Sequence, residues 1–209
     1  MPDLHFYTHP MSRGRIARWM LEELGQPYET EIVTFGPQMK AEAYRRINPM
    51  GKVPAIRHGD TVVTECAAIC AYLADAFPAA GLAPELNRRG DYYRWMFFAA
   101  GPLEAAVTNR SLNVEVPLER KGMVGYGSFE TVMDTLEKAL SGREFVTGDR
   151  FSAADVYVGA HIGWGLQFGS IEKRPAFEAY FAALSARSAY QRARALDDAA
   201  AAELQKPTA

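Results

Sequence analysis

Cysteine is nearly absent from this 209-residue chain, which has two, Cys66 and Cys70. Four residues apart, they fall on one face of a helix, where a disulfide is not expected. They also lack metal-ligand spacing and suit a reducing compartment. An excess of one sign of charge is missing as well. The 23 Lys and Arg against 25 Asp and Glu leave a net charge of −2, which points away from nucleic acid and anionic membrane as partners. No apolar run approaches a membrane span, and Met1-Pro2-Asp3-Leu4-His5 has no charged-then-apolar leader pattern. The expectation is a soluble cytoplasmic protein. Histidine is sparse, and His5, His9, His58 and His161 show no ligand spacing, so no metal is expected. There is no internal repeat.

What is present divides near residue 80. Before it, strand-like and helix-like runs alternate. Leu4–Tyr7 reads as a strand. Ile16, Trp19, Met20 and Leu24 follow helical spacing from Ser12 until Gly25. Tyr28–Val33 reads as a strand and Lys40–Ile47 as a short helix. Two strands flank Gly59-Asp60, and a helix with Ile69, Tyr72, Leu73 and Phe77 on one face follows. The order βαβαββα describes an α/β unit with a mixed four-stranded sheet over residues 1–79. Residues 80–86 form a linker. Residues 87–209 read as all-helical, with helices over Asn87–Val114, Pro117–Leu140, Ser152–Phe168 and Pro175–Ala186, and a shorter one from Ala189. Gly122, Gly125 and Gly127 weaken the start of the second. The tail from Ala199 to Ala209 is expected to fray.

The stretch Asn48-Pro49-Met50-Gly51-Lys52-Val53-Pro54-Ala55-Ile56 carries the clearest chemical signal. Pro54 lacks an amide hydrogen and belongs at a strand's first residue or edge; it also pushes Val53 into extended geometry. Val53 can then offer its N–H and C=O to an extended peptide lying alongside, or simply turn the chain into a strand. Glu65 and Cys66 open the following helix, whose first amides and dipole favour a carboxylate. Glu65 can take an ammonium there, or merely complement the dipole. Ser12, between the first strand and first helix, can aim a hydroxyl at an anion or cap the helix. In Phe151-Ser152-Ala153-Ala154-Asp155-Val156, Ser152 and Asp155 have capping-box spacing, a folding signal rather than a chemical one.

Tyr7-Thr8-His9-Pro10-Met11-Ser12-Arg13-Gly14-Arg15, the Asn48–Ile56 stretch, Glu65-Cys66-Ala67-Ala68-Ile69 and Phe151–Asp155 occur in the order found in cytosolic glutathione S-transferases. The chain resembles a bacterial member of that family, of the broad group with serine in the active site, over essentially its whole length. The resemblance implies a thioredoxin-like N-terminal domain, an all-α C-terminal domain, glutathione as co-substrate and usually a homodimer. It implies Ser12 as the catalytic hydroxyl, with Arg15 three residues on. Val53, following Lys52 and held by Pro54, would pair with the cysteinyl backbone, while Glu65 and Cys66 would hold the γ-glutamyl end.

Cys66 stands where serine is usual, and a thiol is the weaker donor. Lys52 either reaches the glycyl carboxylate or stays solvated, and Arg13 is an anion contact or a surface or dimer residue. Tyr7 is the rival hydroxyl, but its spacing to the loop arginine does not fit and it is expected to point into the fold. Met11, Asn109 and Trp164 are candidates to line an apolar pocket for a small hydrophobic electrophile, beside a structural role for each. The implied activity is glutathione conjugation. The alternatives are a non-catalytic glutathione-binding protein and a thiol reductase, though the latter wants cysteine at the place of Ser12.

Overall fold

The computed structural model describes residues 3–148 and 150–206, which form two compact units, Met1–Leu82 with Ala186–Ala209, and Ala83–Ser185. The first unit opens β1 (Leu4–Thr8), α1 (Gly14–Leu24), β2 (Glu29–Ile32), α2 (Pro37–Lys40) and α3 (Glu42–Arg45). It continues with β3 (Ala55–His58), β4 (Thr61–Thr64) and α4 (Cys66–Ala76). The sheet order is β2-β1-β3-β4, with β1 parallel to β2 and antiparallel to β3, and β3 antiparallel to β4. This is the expected four-stranded mixed sheet. Phe6, Ile16, Trp19, Met20, Leu21, Ile56, Ile69 and Leu73 form its fully buried core, each aliphatic or aromatic side chain contributing about 1.5–3 kcal/mol on burial.

The Lys40–Ile47 helix is corrected to two single turns, because Ala41 between α2 and α3 is extended at φ −65° and ψ 150°. A larger correction concerns the chain's far end. Residues 188–204 form a 17-residue helix, α10 (Ser188–Leu204), in place of the short helix from Ala189 and the frayed tail expected from 199; residues 207–209 of that tail lie outside the described residues, as do residues 1 and 2. This helix groups with the first unit, and residues 83–185 form the second. The physical reason is a set of arginine–carboxylate pairs between α1 and α10. Arg18 Nε donates to Asp197 Oδ1 at 2.7 Å, Arg187 grips Glu23 with two bonds at 2.7 and 2.8 Å, and Arg192 reaches Glu22. Trp19 meets Tyr190 edge to face at 4.9 Å.

The second unit holds α5 (Gly90–Phe98), α6 (Glu104–Ser111), α7 (Phe129–Leu140), α8 (Ala153–Phe168) and α9 (Pro175–Ser185). The expected Asn87–Val114 helix is divided by a π-helical turn, Ala99–Leu103, around Pro102, whose missing amide hydrogen breaks the regular ladder. The expected Pro117–Leu140 helix is likewise two pieces. A 3-10 segment, Leu118–Met123, gives way to a loop through Gly125 and Gly127, and α7 starts afresh where Ser128 Oγ accepts the Thr131 amide at 3.1 Å. The signal at 152–155 works as read. The buried Asp155 carboxylate accepts the Ser152 and Val146 amides at 2.9 and 2.7 Å and the Tyr180 hydroxyl at 2.8 Å.

Candidate functional site

Strand register decides which segments meet in the first unit. The β1–β3 pairing ends at Tyr7 opposite Ala55, and the β3–β4 pairing ends at Ala55 opposite Thr64. The end of β1, the entry to β3 and the exit of β4 therefore share one edge of the sheet. The loop bearing Ser12, the Val53-Pro54 step and Glu65-Cys66 leave from that edge. A direct contact closes the set, with Cys66 Sγ donating to the Arg13 carbonyl at 3.5 Å.

The Ser12 loop is tightly bonded. Ser12 is half-buried just ahead of α1; its Oγ donates to the His9 carbonyl at 2.6 Å and accepts the Gly14 amide at 2.9 Å. His9 Nδ1 accepts the Met11 amide at 3.1 Å, which places the ring proton on Nε2. Burial lowers the His9 pKa and favours this neutral form. The ring stacks on Phe35 with centroids 3.9 Å apart. Gly14 is needed for space, since a Cβ there would stand 1.9 Å from Thr8 Oγ1 and 3.0 Å from Ser12 Oγ. Tyr7 faces inward as expected, buried with Val33, Met39, Tyr44 and Ala55.

The turn leading to Val53-Pro54 is pinned from behind. The Lys52 carbonyl accepts the Tyr44 hydroxyl at 2.7 Å and the buried Asn48 Nδ2 at 2.8 Å, while Asn48 Oδ1 takes the Met50 amide. Burial raises the Tyr44 pKa, keeping that phenol a donor. Lys40 Nζ holds the Gly51 carbonyl at 2.7 Å. Gly51 sits at φ +57°, where a Cβ would stand 2.9 Å from the Met39 carbonyl oxygen, so no larger residue fits the turn. The Val53–Pro54 bond is cis. The Val53 side chain packs under the edge, and its backbone N–H and C=O have no hydrogen-bond partner among the described residues. Asn48, Tyr44 and Lys40 were not singled out from sequence; the Asn-Pro dipeptide was the available signal for a side-chain-closed turn.

Glu65 is exposed, with φ +64° and ψ 121°, a region rarely tolerated by a side-chain-bearing residue. Its carboxylate has no partner among the described residues. Cys66 is the first residue of α4. Its buried thiol is engaged by the Arg13 carbonyl, leaving its backbone amide in the first turn of α4 as the group suited to a carboxylate. Lys52 carries an exposed ammonium with no ion pair among the described residues.

The three pocket candidates lie apart in the chain's organisation. Met11 is exposed in the first unit. Asn109, in the second, donates to the Tyr126 hydroxyl at 3.0 Å and lines a cavity of about 490 Å³ with Arg110, Lys121, Tyr126 and Phe129. That cavity is more polar than an apolar pocket. Trp164 is half-buried on α8 and is not part of its lining. Among the described residues no group of three or more His, Cys, Asp or Glu could hold a metal ion, and no helix is long and apolar enough to cross a membrane.

Residues 11–76 match the pattern described as "Glutathione S-transferase, N-terminal domain", and residues 104–183 that of "Glutathione S-transferase, C-terminal domain". The chain is 25% identical over 186 residues to glutathione S-transferase GST-4.5 of Xanthomonas campestris pv. campestris, covering 85% of this chain and 91% of that protein. It superposes on a glutathione transferase from Methylococcus capsulatus with TM-score 0.77 at 29% identity, covering 94% of this chain and 99% of the other. A sphingomonad glutathione S-transferase complexed with glutathione superposes with TM-score 0.75 at 28% identity, covering 93% and 98%.

Proposed function

Because this chain belongs to the glutathione S-transferase family, we propose that it is a transferase in which Ser12 stabilises the thiolate of glutathione for attack on a small hydrophobic electrophile. The observation that carries the reading is the shared sheet edge, where the unpaired Val53 backbone, the free Glu65 carboxylate, the α4 amides and the Ser12 hydroxyl stand together.

Glutathione is an extended tripeptide with two carboxylates, an ammonium and a thiol. Val53 pairs with its cysteinyl backbone as an added strand would. Glu65 takes the ammonium, and the Cys66 amide with its neighbours takes the γ-glutamyl carboxylate at the helix N-terminus. Lys52 is the cation for the glycyl carboxylate. The thiol then lies toward the Ser12 loop. A thiol of pKa near 8.5 is mostly protonated at neutral pH, and each unit of lowering takes about 1.4 kcal/mol of preferential thiolate stabilisation. Ser12 Oγ is held by the Gly14 amide, so rotation about Cβ–Oγ moves the proton from the His9 carbonyl to the sulfur while the oxygen stays in place. That bond from Gly14 also polarises the hydroxyl and strengthens it as a donor. With an aryl halide the C–S bond forms, halide leaves, and the thiol proton goes to solvent. No covalent enzyme intermediate is needed.

Met11, Asn109 and Trp164 remain the residues proposed to contact the electrophile. A homodimer, a cytoplasmic location and a role in detoxification are carried over with the family; light scattering checks the first. The functional test is titration with glutathione while conjugation of a generic aryl halide is followed in the parent, Ser12→Ala and Tyr7→Phe. The expected result is a collapse in Ser12→Ala with activity kept in Tyr7→Phe. The reverse pattern overturns the assignment, and binding without turnover in the parent identifies a non-catalytic binder.

A further inference from the structure

Asp197 and Asp198 are consecutive on α10, and each grips a different arginine of α1. The Arg18–Asp197 pair is buried, with side chains 5% and 0% exposed; the Arg15–Asp198 pair is open, at 25% and 53%. The first is an anchor between helices. The second leads into the Ser12 loop. Arg15 Nη1 donates to Asp198 Oδ1 at 2.8 Å, Arg15 Nε donates to the Pro10 carbonyl at 2.5 Å, and the Arg15 amide donates to the Ser12 carbonyl at 3.2 Å. Residues 9–13 are thus held between the end of β1 and one guanidinium, with His9 fixing Ser12 Oγ and the Met11 amide from the other side.

We propose that Asp198 is a positioning residue for Ser12, acting through the Arg15 guanidinium. Two anchors hold that guanidinium, a carbonyl of the loop and a carboxylate of α10. With the carboxylate present the planar fork is fixed, and Nε is directed at Pro10. Without it the long side chain has solvent-facing rotamers open to it, and the Pro10 carbonyl shares its donor with water. The groups facing Arg15 are few. Asp198 Oδ2 is shared with Arg194 Nε at 3.5 Å on α10. Asp197 and Tyr190 of the same helix lie close enough to feel both Arg15 and Asp198. Arg194 meets the other carboxylate oxygen and does not compete for Oδ1.

The inference rests on Ser12 being the catalytic hydroxyl, and its test separates the two. Asp198→Asn and Asp198→Glu are made in the full chain. The first readout needs no ligand: amide hydrogen exchange at Met11 and Gly14, whose hydrogen bonds depend on the loop. Asp198→Asn is expected to speed both by about two- to fivefold, the ratio a partly exposed ion pair supports. Asp198→Glu restores them, and Met20 and Leu21 inside α1 do not change. The second readout is the pH profile of kcat/KM for the aryl halide at saturating glutathione, which reports the thiol of the enzyme–glutathione complex. Its acid limb is expected to move up by about 0.3–0.7 pH unit in Asp198→Asn, with KM for glutathione unchanged because the Val53 and Glu65 edge is untouched. Unchanged exchange at Met11 and Gly14 overturns the proposal. So does an unshifted pH profile in a protein whose profile moves in Ser12→Ala. If Ser12→Ala leaves the parent's profile where it was, the catalytic assignment fails instead, and the exchange rates alone decide whether Asp198 positions the loop.

Discussion

Replacing Asp197 by asparagine is the sharpest test of how the first unit is closed. The side chain keeps its volume and one carbonyl oxygen, so packing is preserved and charge alone is removed. Arg18, 4% exposed, then lies buried with no anionic partner. Its remaining contacts are the Tyr28 hydroxyl at 3.2 Å, Thr30 Oγ1 at 3.4 Å and the Phe6 ring, 5.1 Å from centroid to guanidinium carbon. Breaking a buried pair by removing one partner costs about 3–5 kcal/mol, and the surviving contacts place this case near the lower figure. For a chain of this size about 3 kcal/mol corresponds to a fall of roughly 6–12 °C in melting temperature. Thermal denaturation followed by circular dichroism, with a urea series to confirm an unchanged slope, measures it. A melting temperature within 2 °C of the parent would refute the reasoning. The complementary change, Arg18→Met, strands the carboxylate instead. Burial already raises the Asp197 pKa, its effect exceeding the lowering by Arg18, and removing Arg18 raises it further. A carboxyl with a folded pKa above its unfolded value binds its proton more tightly when folded. Arg18→Met is therefore least damaging at acid pH and loses stability as pH rises through the folded pKa. The double variant Arg18→Met/Asp197→Leu should recover most of either loss.

Three further outcomes follow from single positions. Gly14→Ala drives a methyl group onto Thr8 Oγ1 and Ser12 Oγ; it should cost about 1–3 kcal/mol by overpacking and reduce kcat more than glutathione binding, as stopped-flow and calorimetry would show. Glu65→Gly relieves a backbone strain of about 1–3 kcal/mol against roughly 0.5–1 kcal/mol of added chain entropy, so the protein should melt higher while calorimetry shows weaker glutathione binding. Asp155→Ala leaves the Val146 and Ser152 amides and the Tyr180 hydroxyl without their acceptor; a loss of at least 3 kcal/mol is expected in urea denaturation.

Much of this was readable from local pattern. Period-3.6 apolar spacing placed α1 and α4, because each buries one face against a common core, and turn residues such as Gly59-Asp60 bounded the strands. Gly25 ends α1 in the left-handed region as the pattern required, and Ser152 with Asp155 marked the start of α8. Val53-Pro54 was legible because proline constrains its neighbours whatever the fold. The return of α10 was not. Arg18 and Asp197 are 179 positions apart, and each alone resembles a solvated charge, so nothing local signals that they meet in the interior. The use of the Ser12 proton on the His9 carbonyl was equally hidden, since spacing identifies a hydroxyl but not where it points. Cys66 was legible as a departure from the family and not as a tie to Arg13, which depends on how α4 approaches the first loop.

The membership of α10 in the first unit also bears on how the protein is made. A ribosome releases the chain from the amino end at roughly 5–20 residues per second. The sheet, α1 and α4 therefore emerge well before their closing helix, while residues 83–185 occupy the intervening several seconds and can complete their own core first. Throughout that interval Arg18 and Trp19 lack the α10 side chains that later cover them. A chain truncated near residue 185 therefore lacks the α10 partners of Arg15, Arg18 and Trp19, and with them one of the two anchors of the Arg15 guanidinium beside the Ser12 loop.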